Sequence, residues 1–227
     1  FTDRDKNVWD RHNTLTNQDI LTIMGTKNIG LEQKTGTRFA YCNTNYAMLA
    51  LIIEKVTKLS FRNAMNKMIF KPLGMTNTFV LDFDNEKKKV APSYKGNRVE
   101  IGIDYLDKIY GDKNIYSTPR DILKFDRARN SPSFLEPALL KQVYTGYSNE
   151  HPGRKNYGLG IRMINWENGK NFYFHNGWWH GFTSSYIPLK DENVTIIALS
   201  NKFTKSTYSV RKLAPLFGDY PFKVEDE

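Results

Sequence analysis

A row of polar side chains precedes an apolar helical pattern in the first quarter of the chain. Tyr41, Cys42 and Asn43 stand directly before a run in which apolar residues recur at close to helical spacing. Two interpretations are open at this point. Asn43 could cap a buried helix while Tyr41 packs as a ring, or Tyr41 and Asn43 could be catalytic side chains held on a rigid helix start. The rest of the sequence must show which residue they would serve.

A second group of chemically capable residues lies in the segment F-H-N-G-W-W-H-G-F, residues 174–182. His175 and His180 are five positions apart, and neither this spacing nor any companion acid resembles a zinc motif. We therefore expect no metal site and no cofactor. Trp178 and Trp179 could line a substrate pocket, although core packing is an equal alternative for one of them. Phe182 is a weaker pocket candidate of the same kind.

Composition describes a globular chain with a positive charge. The 227 residues are 40% hydrophobic and 14% aromatic, and the net charge is +9. No run approaches the roughly 18 apolar residues of a membrane span. The charge favours contact with anionic surfaces such as a cell-wall polymer, but the run 86–89 carries no nucleic-acid motif and is interpreted as a solvated loop. With Cys42 alone, no internal disulfide and no cysteine metal cluster can form.

The order of elements predicts an α+β fold, with helices packed against an antiparallel sheet. We expect a central, largely buried helix over Asn43 to about Thr57, and little regular structure over 82–114. One domain should span 1–227, with 1–150 mainly helical and 151–227 holding strands and a closing helix. Other helices are expected to begin near Asn17, Ser60, Pro119, Pro137 and Ser206, and four strands at Tyr157–Ile164, Asn171–His175, Phe182–Ile187 and Val194–Leu199.

Five blocks of sequence, in order, resemble one family. They are RFAYCNTNYAMLALIIEKVTKLSF, IFKPLGMTNTFV, NIYSTPRDILKF, YGLGI and FHNGWWHGFTSSYIPLKDENVTIIALSN. Together they are similar to the serine β-lactamase-like hydrolases, the group of class C β-lactamases, D-alanyl-D-alanine carboxypeptidases, D-aminopeptidases and related esterases. The likeness runs from about Thr16 to Asn201. It implies a β-lactamase/penicillin-binding-protein-like fold.

The resemblance assigns catalytic roles to five residues. Tyr41 and Asn43 match the family's Y-x-N motif, in which the tyrosine is a base and the asparagine binds an amide. His175 and Gly177 match H-x-G, a variant of K-T-G. The backbone N–H of Trp178 would then form half of an oxyanion hole. These roles imply acyl transfer through a serine, whose proton a phenolate can accept if neighbouring cations favour that form.

The family's third motif, S-x-x-K, is missing from its expected place. Its only occurrence is 209–212, within the expected closing helix, where an ordinary helix start is favoured. Residues 34–36 spell K-T-G but are interpreted as a turn. Cys42 is expected to be a buried spacer rather than a nucleophile.

The missing motif leads to two functional hypotheses. In the first, the chain is the C-terminal part of a longer serine hydrolase, inactive alone, with a fold incomplete at its N-terminus and the nucleophile upstream. Its substrate would be a small ester, amide or peptide, because His175 lacks the permanent charge of a lysine. In the second, the chain is an inactive relative that binds a cell-wall fragment, peptide or partner protein. We also expect self-association or marginal folding of the chain alone, no binding of nucleic acid, and by resemblance a location at the cell envelope or periplasm.

Overall fold

Side-chain caps begin several helices where the sequence predicts them. In the computed structural model, which describes residues 9–27, 29–31, 33–86, 90–149 and 153–222, Thr16 and Asp19 form a reciprocal capping box at the first helix. Thr118 accepts a hydrogen bond from the backbone N–H of Asp121, and Pro119 takes the first helical position. Ser60 caps a further helix in the same way. The predictions of these helix starts are confirmed.

Along the described chain, most helices come before the main run of strands, and one helix follows it. The helices are α1 (Asn17–Thr26), α2 (Asn43–Thr57), α3 (Phe61–Met65, continued as a π-helix over Asn66–Phe70), α4 (Phe83–Glu86), α5 (Pro119–Arg129), α6 (Pro137–Val143) and α7 (Ser206–Ser209, continued as a 3₁₀-helix over Val210–Leu216). The strands are β1 (Phe79–Val80), β2 (Ile115–Tyr116), β3 (Lys155–Tyr157), β4 (Arg162–Asn165), β5 (Asn171–Trp179), β6 (Phe182–Leu189) and β7 (Val194–Ser200).

The principal sheet is an antiparallel meander in the order β3-β4-β5-β6-β7, and β1 and β2 form a separate antiparallel pair. The α+β prediction is confirmed. The single strand expected over Tyr157–Ile164 is wrong, however, because the chain reverses there. The N–H of Gly158 donates to the carbonyl of Ile161 at 2.8 Å, and Gly160 has a φ of +73°. The predicted strand is therefore two strands, β3 and β4, and the sheet has five strands instead of four.

Two further expectations need adjustment. The closing helix is α-helical only over α7, and its remainder, which contains Pro215, is a 3₁₀-helix. Residues 82–114 are mostly irregular as expected, but they include the short helix α4. The lysines 87–89 of the predicted solvated loop lie outside the described residues.

The chain divides into two compact units, each with its own core. The first comprises 1–91 and 102–117, and the second comprises 92–101 and 118–227. Leu15, Ile20, Ile23, Ala47 and Ile109 form a core cluster in the first unit. In the second unit, the corresponding cluster contains Phe172, Ile187, Leu189, Ala214 and Tyr220. The single domain over 1–227 stays a prediction.

Helix α2 is less buried than its composition predicts. Only Ala47 and Ala50 are buried along it. Leu49, Ile52 and Val56 are 50%, 54% and 75% exposed, and their spacing places them on one face, which we call the α2 stripe. The expectation of a largely buried central helix is therefore wrong. Among the described residues, no helix is both long enough and apolar enough to cross a membrane.

Candidate active site

The tyrosine and asparagine of the Y-x-N motif are exposed at the start of α2. Cys42 is the N-cap residue and makes no side-chain cap hydrogen bond, and Asn43 is the first helical residue. Tyr41 is 47% exposed. The interpretation of Asn43 as a cap is therefore wrong, and Tyr41 is not a core ring. Cys42 is exposed, so its expected burial is also wrong.

Asn17 anchors the helix that carries this motif. Its side chain is fully buried, and its amide nitrogen donates to the carbonyls of Ala47 at 3.0 Å and of Tyr110 at 2.8 Å. Its amide oxygen accepts from the N–H of Tyr110 at 3.0 Å. One buried side chain thus joins α1, α2 and the segment that precedes β2. Because buried amides are costly unless they are hydrogen-bonded, this arrangement fixes the position of α2 within its unit.

Two more contacts hold the same helix. Gly111 has a φ of +98°, and a Cβ there would lie 2.5 Å from the carbonyl oxygen of Tyr46 and 2.8 Å from the Cβ of Ala50, so only glycine permits this close approach. Glu54 accepts from the N–H of Phe61 at 2.8 Å and from the Tyr110 hydroxyl at 3.1 Å. Burial, followed by the charge of Glu54, raises the pKa of Tyr110 to about 12.

The H-x-G motif lies within β5, in the second unit. Strand β4 pairs with β5 only as far as Phe174, whereas β6 pairs with β5 from His175 to Trp179. Among the strands of the described residues, the segment 175–179 therefore has a partner on one side only. A strand edge of this kind offers main-chain donors and acceptors to an extended ligand. Sequence analysis predicted a strand ending at His175, so it missed this extension.

His175 is half-buried, and its Nε2 lies 2.9 Å from the hydroxyl of Tyr157. Burial is the main cause that lowers the pKa of His175, and the positive charge of Arg162 lowers it further. A main-chain hydrogen bond at Asn176 acts in the opposite direction but does not reverse the shift. The ring is consequently neutral at pH 7.

Gly177 and Trp178 differ strongly in their surroundings. A Cβ on Gly177 would collide with the hydroxyl of Ser184 on β6, and the Gly177 carbonyl accepts from the Tyr208 hydroxyl at 3.2 Å. Trp178 is 68% exposed, and its indole Nε1 donates to the carbonyl of His180 at 2.8 Å. A side chain at Gly177 would thus displace the Ser184 hydroxyl, while the indole of Trp178 is available at the surface.

The two weaker pocket candidates lie where β5 turns into β6. Trp179 and Phe182 are paired at the end of the ladder and are each partly buried. The Trp179 ring lies 4.7 Å from the His180 ring, measured between centroids. His180 turns the chain with a φ of +53°, and a side chain on Gly181 would collide with the backbone of Tyr94. A pocket role for Trp179 and Phe182 stays a prediction.

The K-T-G sequence at 34–36 and the S-x-x-K sequence at 209–212 lie in ordinary structural elements. Residues 34–36 form a turn, since Thr37 donates from its N–H to the carbonyl of Lys34 at 3.3 Å and Gly36 has a φ of +75°. The turn interpretation of K-T-G is confirmed. Ser209 is exposed, ends α7 and is the N-cap residue of the 3₁₀-helix Val210–Leu216. The S-x-x-K over 209–212 therefore lies at an ordinary helix start within the closing helix, as expected.

Sequence reasoning missed a buried charged group behind β6. Asp126 of α5 accepts hydrogen bonds from the hydroxyls of Tyr186 and Thr195, the latter at 2.6 Å, and pairs with Arg129 at 3.2 Å. Tyr186 stands directly opposite His175 in the β5–β6 ladder. Burial is the main cause that raises the pKa of Tyr186. An acid and an arginine three positions apart on a helix were the only signal, and it is common on exposed helix faces.

Comparison with known proteins settles the family. The model of the family described as "Beta-lactamase" matches residues 7–214. The chain belongs to the beta-lactamase family. It is 27% identical over 240 residues to Penicillin-binding protein 4* of Bacillus subtilis (strain 168), a match that covers 96% of this chain and 52% of that protein. The chain therefore spans about half the length of this curated relative.

Solved structures show the same fold. A penicillin binding protein from Bacillus halodurans superposes with a TM-score of 0.78 at 21% identity, over 95% of this chain and 67% of that one. The D-amino acid amidase of Ochrobactrum anthropi SV3 in complex with D-phenylalanine gives a TM-score of 0.68 at 20% identity, over 92% of this chain and 69% of that one. These likenesses confirm the expected β-lactamase/penicillin-binding-protein-like fold.

Proposed function

We propose that the complete gene product is a serine hydrolase that cleaves small esters, amides or peptides through an acyl-enzyme. The observation that carries this proposal is the state of the Y-x-N motif in a chain of the beta-lactamase family. Tyr41 is half exposed, and Asn43 is exposed and does not cap the helix. The buried amide of Asn17 nevertheless holds the helix in place. Exposed polar side chains on an anchored helix start suit a catalytic role better than a structural one.

Each matched residue has a defined task in this mechanism. Tyr41, as phenolate, accepts the proton of the serine hydroxyl, and Asn43 binds the substrate amide. The backbone N–H of Trp178 stabilises the developing oxyanion, an interaction whose loss costs about 100- to 1,000-fold in rate. Gly177 leaves room for the Ser184 hydroxyl on β6. His175 enters this mechanism as a neutral imidazole, because burial lowers its pKa.

The nucleophilic serine and its lysine, in this proposal, lie outside the 227 residues. The single S-x-x-K sequence begins at Ser209, at the exposed end of α7, and follows every other motif in the chain. A lysine one helical turn from the serine would supply the positive charge that favours the Tyr41 phenolate. The 227-residue chain alone is then inactive.

The neutral state of His175 points to the substrate class. A lysine at this position would attract a substrate carboxylate, whereas burial and Arg162 keep His175 uncharged by lowering its pKa. Substrates whose recognised end is an ester or amide are therefore favoured over penicillins. The complex of the amidase relative with D-phenylalanine supports a small amino-acid-like substrate. If the complete gene product hydrolysed a penicillin much faster than simple esters, this assignment would be wrong.

The positive charge supports a place at the cell envelope. A net charge of +9 favours contact with anionic cell-wall polymers. Sedimentation with purified peptidoglycan should retain the protein at low salt and release it at high salt. Salt-sensitive binding by a complete gene product that hydrolyses no ester, amide or peptide would instead support the second hypothesis, an inactive binding relative.

The test of the catalytic proposal is the variant Tyr41→Phe in the complete gene product. Loss of a general base typically lowers turnover by about 100- to 10,000-fold, so kcat for a p-nitrophenyl ester should fall within that range. Tyr147→Phe is the matched control, because Tyr147 is 45% exposed and its hydroxyl contacts a helix carbonyl, that of Gln142 at 3.4 Å. Near wild-type turnover in Tyr41→Phe would remove the role assigned to Tyr41.

A further inference from the structure

The Y-G-L-G-I segment fixes one tyrosine tightly at the end of β3. Tyr157 pairs with Arg162 across the β3–β4 reversal, and its carbonyl accepts from the N–H of Tyr147 at 2.9 Å. The next residue, Gly158, leaves no room for a side chain, because a Cβ there would collide with the carbonyl oxygen of Val143. The backbone of Tyr157 is therefore held by its pairing with Arg162 and by the hydrogen bond from Tyr147, next to a close approach of Gly158 to Val143 that requires glycine.

This tyrosine reaches the histidine of the H-x-G motif. Tyr157 is 7% exposed, and its hydroxyl lies 2.9 Å from His175 Nε2. The two rings meet edge to face, with centroids 6.0 Å apart and planes at 85°. The guanidinium of Arg162 lies 5.8 Å from the centroid of the Tyr157 ring. A cation beside a phenol stabilises negative charge on its oxygen, which makes the hydroxyl a stronger donor.

The acid–base character of the two groups indicates which of them donates. A neutral imidazole carries one N–H, so Nε2 either donates to the Tyr157 hydroxyl or accepts from it. A phenol is more acidic than a neutral imidazole N–H, and an imidazole nitrogen is more basic than a phenol oxygen. The favoured arrangement therefore has the hydroxyl donating to Nε2, which leaves the ring proton on Nδ1.

We propose that Tyr157 is a positioning residue for His175: its hydroxyl donates to Nε2 and holds the imidazole in the neutral Nδ1–H tautomer. This inference rests on the proposed function for its catalytic meaning, and it deepens that function. With Nε2 engaged by the Tyr157 hydroxyl, His175 presents an uncharged ring of fixed tautomer to the substrate. Such a ring suits the ester or amide end of an acyl donor and gives no countercharge to a carboxylate.

The test is ¹⁵N NMR of the histidine side chains in the 227-residue protein at neutral pH. His175 should show a protonated, pyrrole-like Nδ1 and an unprotonated, pyridine-like Nε2. In Tyr157→Phe the donor to Nε2 is removed, so a substantial Nε2–H population should appear. Wild-type protein with Nε2–H as the main tautomer would overturn the proposal, and so would an unchanged tautomer in Tyr157→Phe.

A matched control separates this role from general loosening of the sheet. Tyr208→Phe removes a hydroxyl that contacts the same strand at the carbonyl of Gly177, without touching the His175 ring. Its His175 tautomer should remain that of the wild type. If Tyr208→Phe changed the tautomer as much as Tyr157→Phe, a specific role for Tyr157 would be refuted. If Tyr157→Phe fails to fold, the wild-type spectrum still tests the proposal, because Nδ1–H as the main tautomer supports it and Nε2–H overturns it.

The NMR experiment does not depend on turnover. If the complete gene product hydrolysed no ester or amide, the proposed function would fail, while the tautomer and its dependence on Tyr157 would still be measured. Where hydrolysis is found, Tyr157→Phe should lower kcat by about tenfold or more, as for supporting residues that orient a functional histidine.

Discussion

Replacement of Asn17 by leucine tests how the candidate catalytic helix is held. Asn17 makes three hydrogen bonds from a fully buried side chain: two donated to the carbonyls of Ala47 and Tyr110, and one accepted from the N–H of Tyr110. Leucine has a similar size and fills the site, but it can make none of them. The effect of Asn17→Leu is therefore the cost of leaving main-chain groups without these partners.

The magnitude follows from which groups lose a partner. The carbonyl of Ala47 lies inside α2 and keeps its place in the helical ladder, so its loss is small. The N–H and the carbonyl of Tyr110 each lose a buried partner, at about 1–3 kcal/mol apiece. We expect a total of about 3 kcal/mol of local unfolding free energy. This corresponds to faster amide exchange in α2 by a factor on the order of 100.

Hydrogen exchange measured by mass spectrometry resolves this effect along the chain. Peptides from α1 and α2 should exchange faster in Asn17→Leu, while peptides from β5 and β6, in the second unit, should not change. Gln18→Leu is the control, because Gln18 is the exposed neighbour on the same helix. Equal exchange in Asn17→Leu and Gln18→Leu would refute the anchoring role of Asn17.

Three further predictions address the second unit and the chain as a whole. Asp126→Ala leaves Arg129 buried without its acid, so the unfolding free energy measured in urea melts should fall by about 3–5 kcal/mol. In the control Arg127→Ala, which removes an exposed side chain, the unfolding free energy should fall by less than about 0.5 kcal/mol. Because the pKa of His175 is lower in the folded than in the unfolded state, whose value is about 6.5, the unfolded chain takes up the extra proton first as pH falls. The unfolding free energy should therefore decline as pH falls from about 6.5 towards the folded-state pKa, and it should decline more in wild type than in His175→Gln. Equal declines in the two proteins would contradict this. The groups that face the His175 ring include Arg162 and the Tyr157 hydroxyl. The chain alone should self-associate or fold only marginally, and the exposed α2 stripe offers an apolar surface for pairing between copies. A monomer in light scattering with a sharp unfolding transition would contradict this.

The parts of the fold that the sequence could predict are those encoded by local signals. The Thr16 and Thr118 caps, the turn at Gly36 and the strands that begin at Phe182 and Val194 are each encoded within a few residues, and they are confirmed. The α2 stripe was misjudged because apolar spacing records which residues can be buried, not which neighbours cover them. The reversal at Gly158 was missed because a glycine inside a strand pattern can also mark a bulge, so it does not by itself end the strand.

In the candidate site, too, the residues that a local pattern encodes could be predicted, and those that depend on distant contacts could not. The motif residues were found from their order in the chain, since each is named by type and spacing alone. The partner of His175 was not found, because Tyr157 is 18 positions away and reaches it only through the β3–β4 reversal. Asn17, 30 and 93 positions from its partners, was likewise interpreted only as a helix start. Residues that position others depend on such distant contacts, which a local pattern does not encode.

The most direct test of the central claim is intact mass after reaction with a fluorophosphonate probe, performed on the 227-residue chain and on the complete gene product side by side. We expect no adduct on the chain and one adduct per molecule on the complete gene product, at a serine followed three positions later by lysine. An adduct on the chain, at Ser209 or any other serine within it, would contradict the placement of the nucleophile outside these residues. A complete gene product that forms no adduct would contradict the assignment as an acylating serine hydrolase.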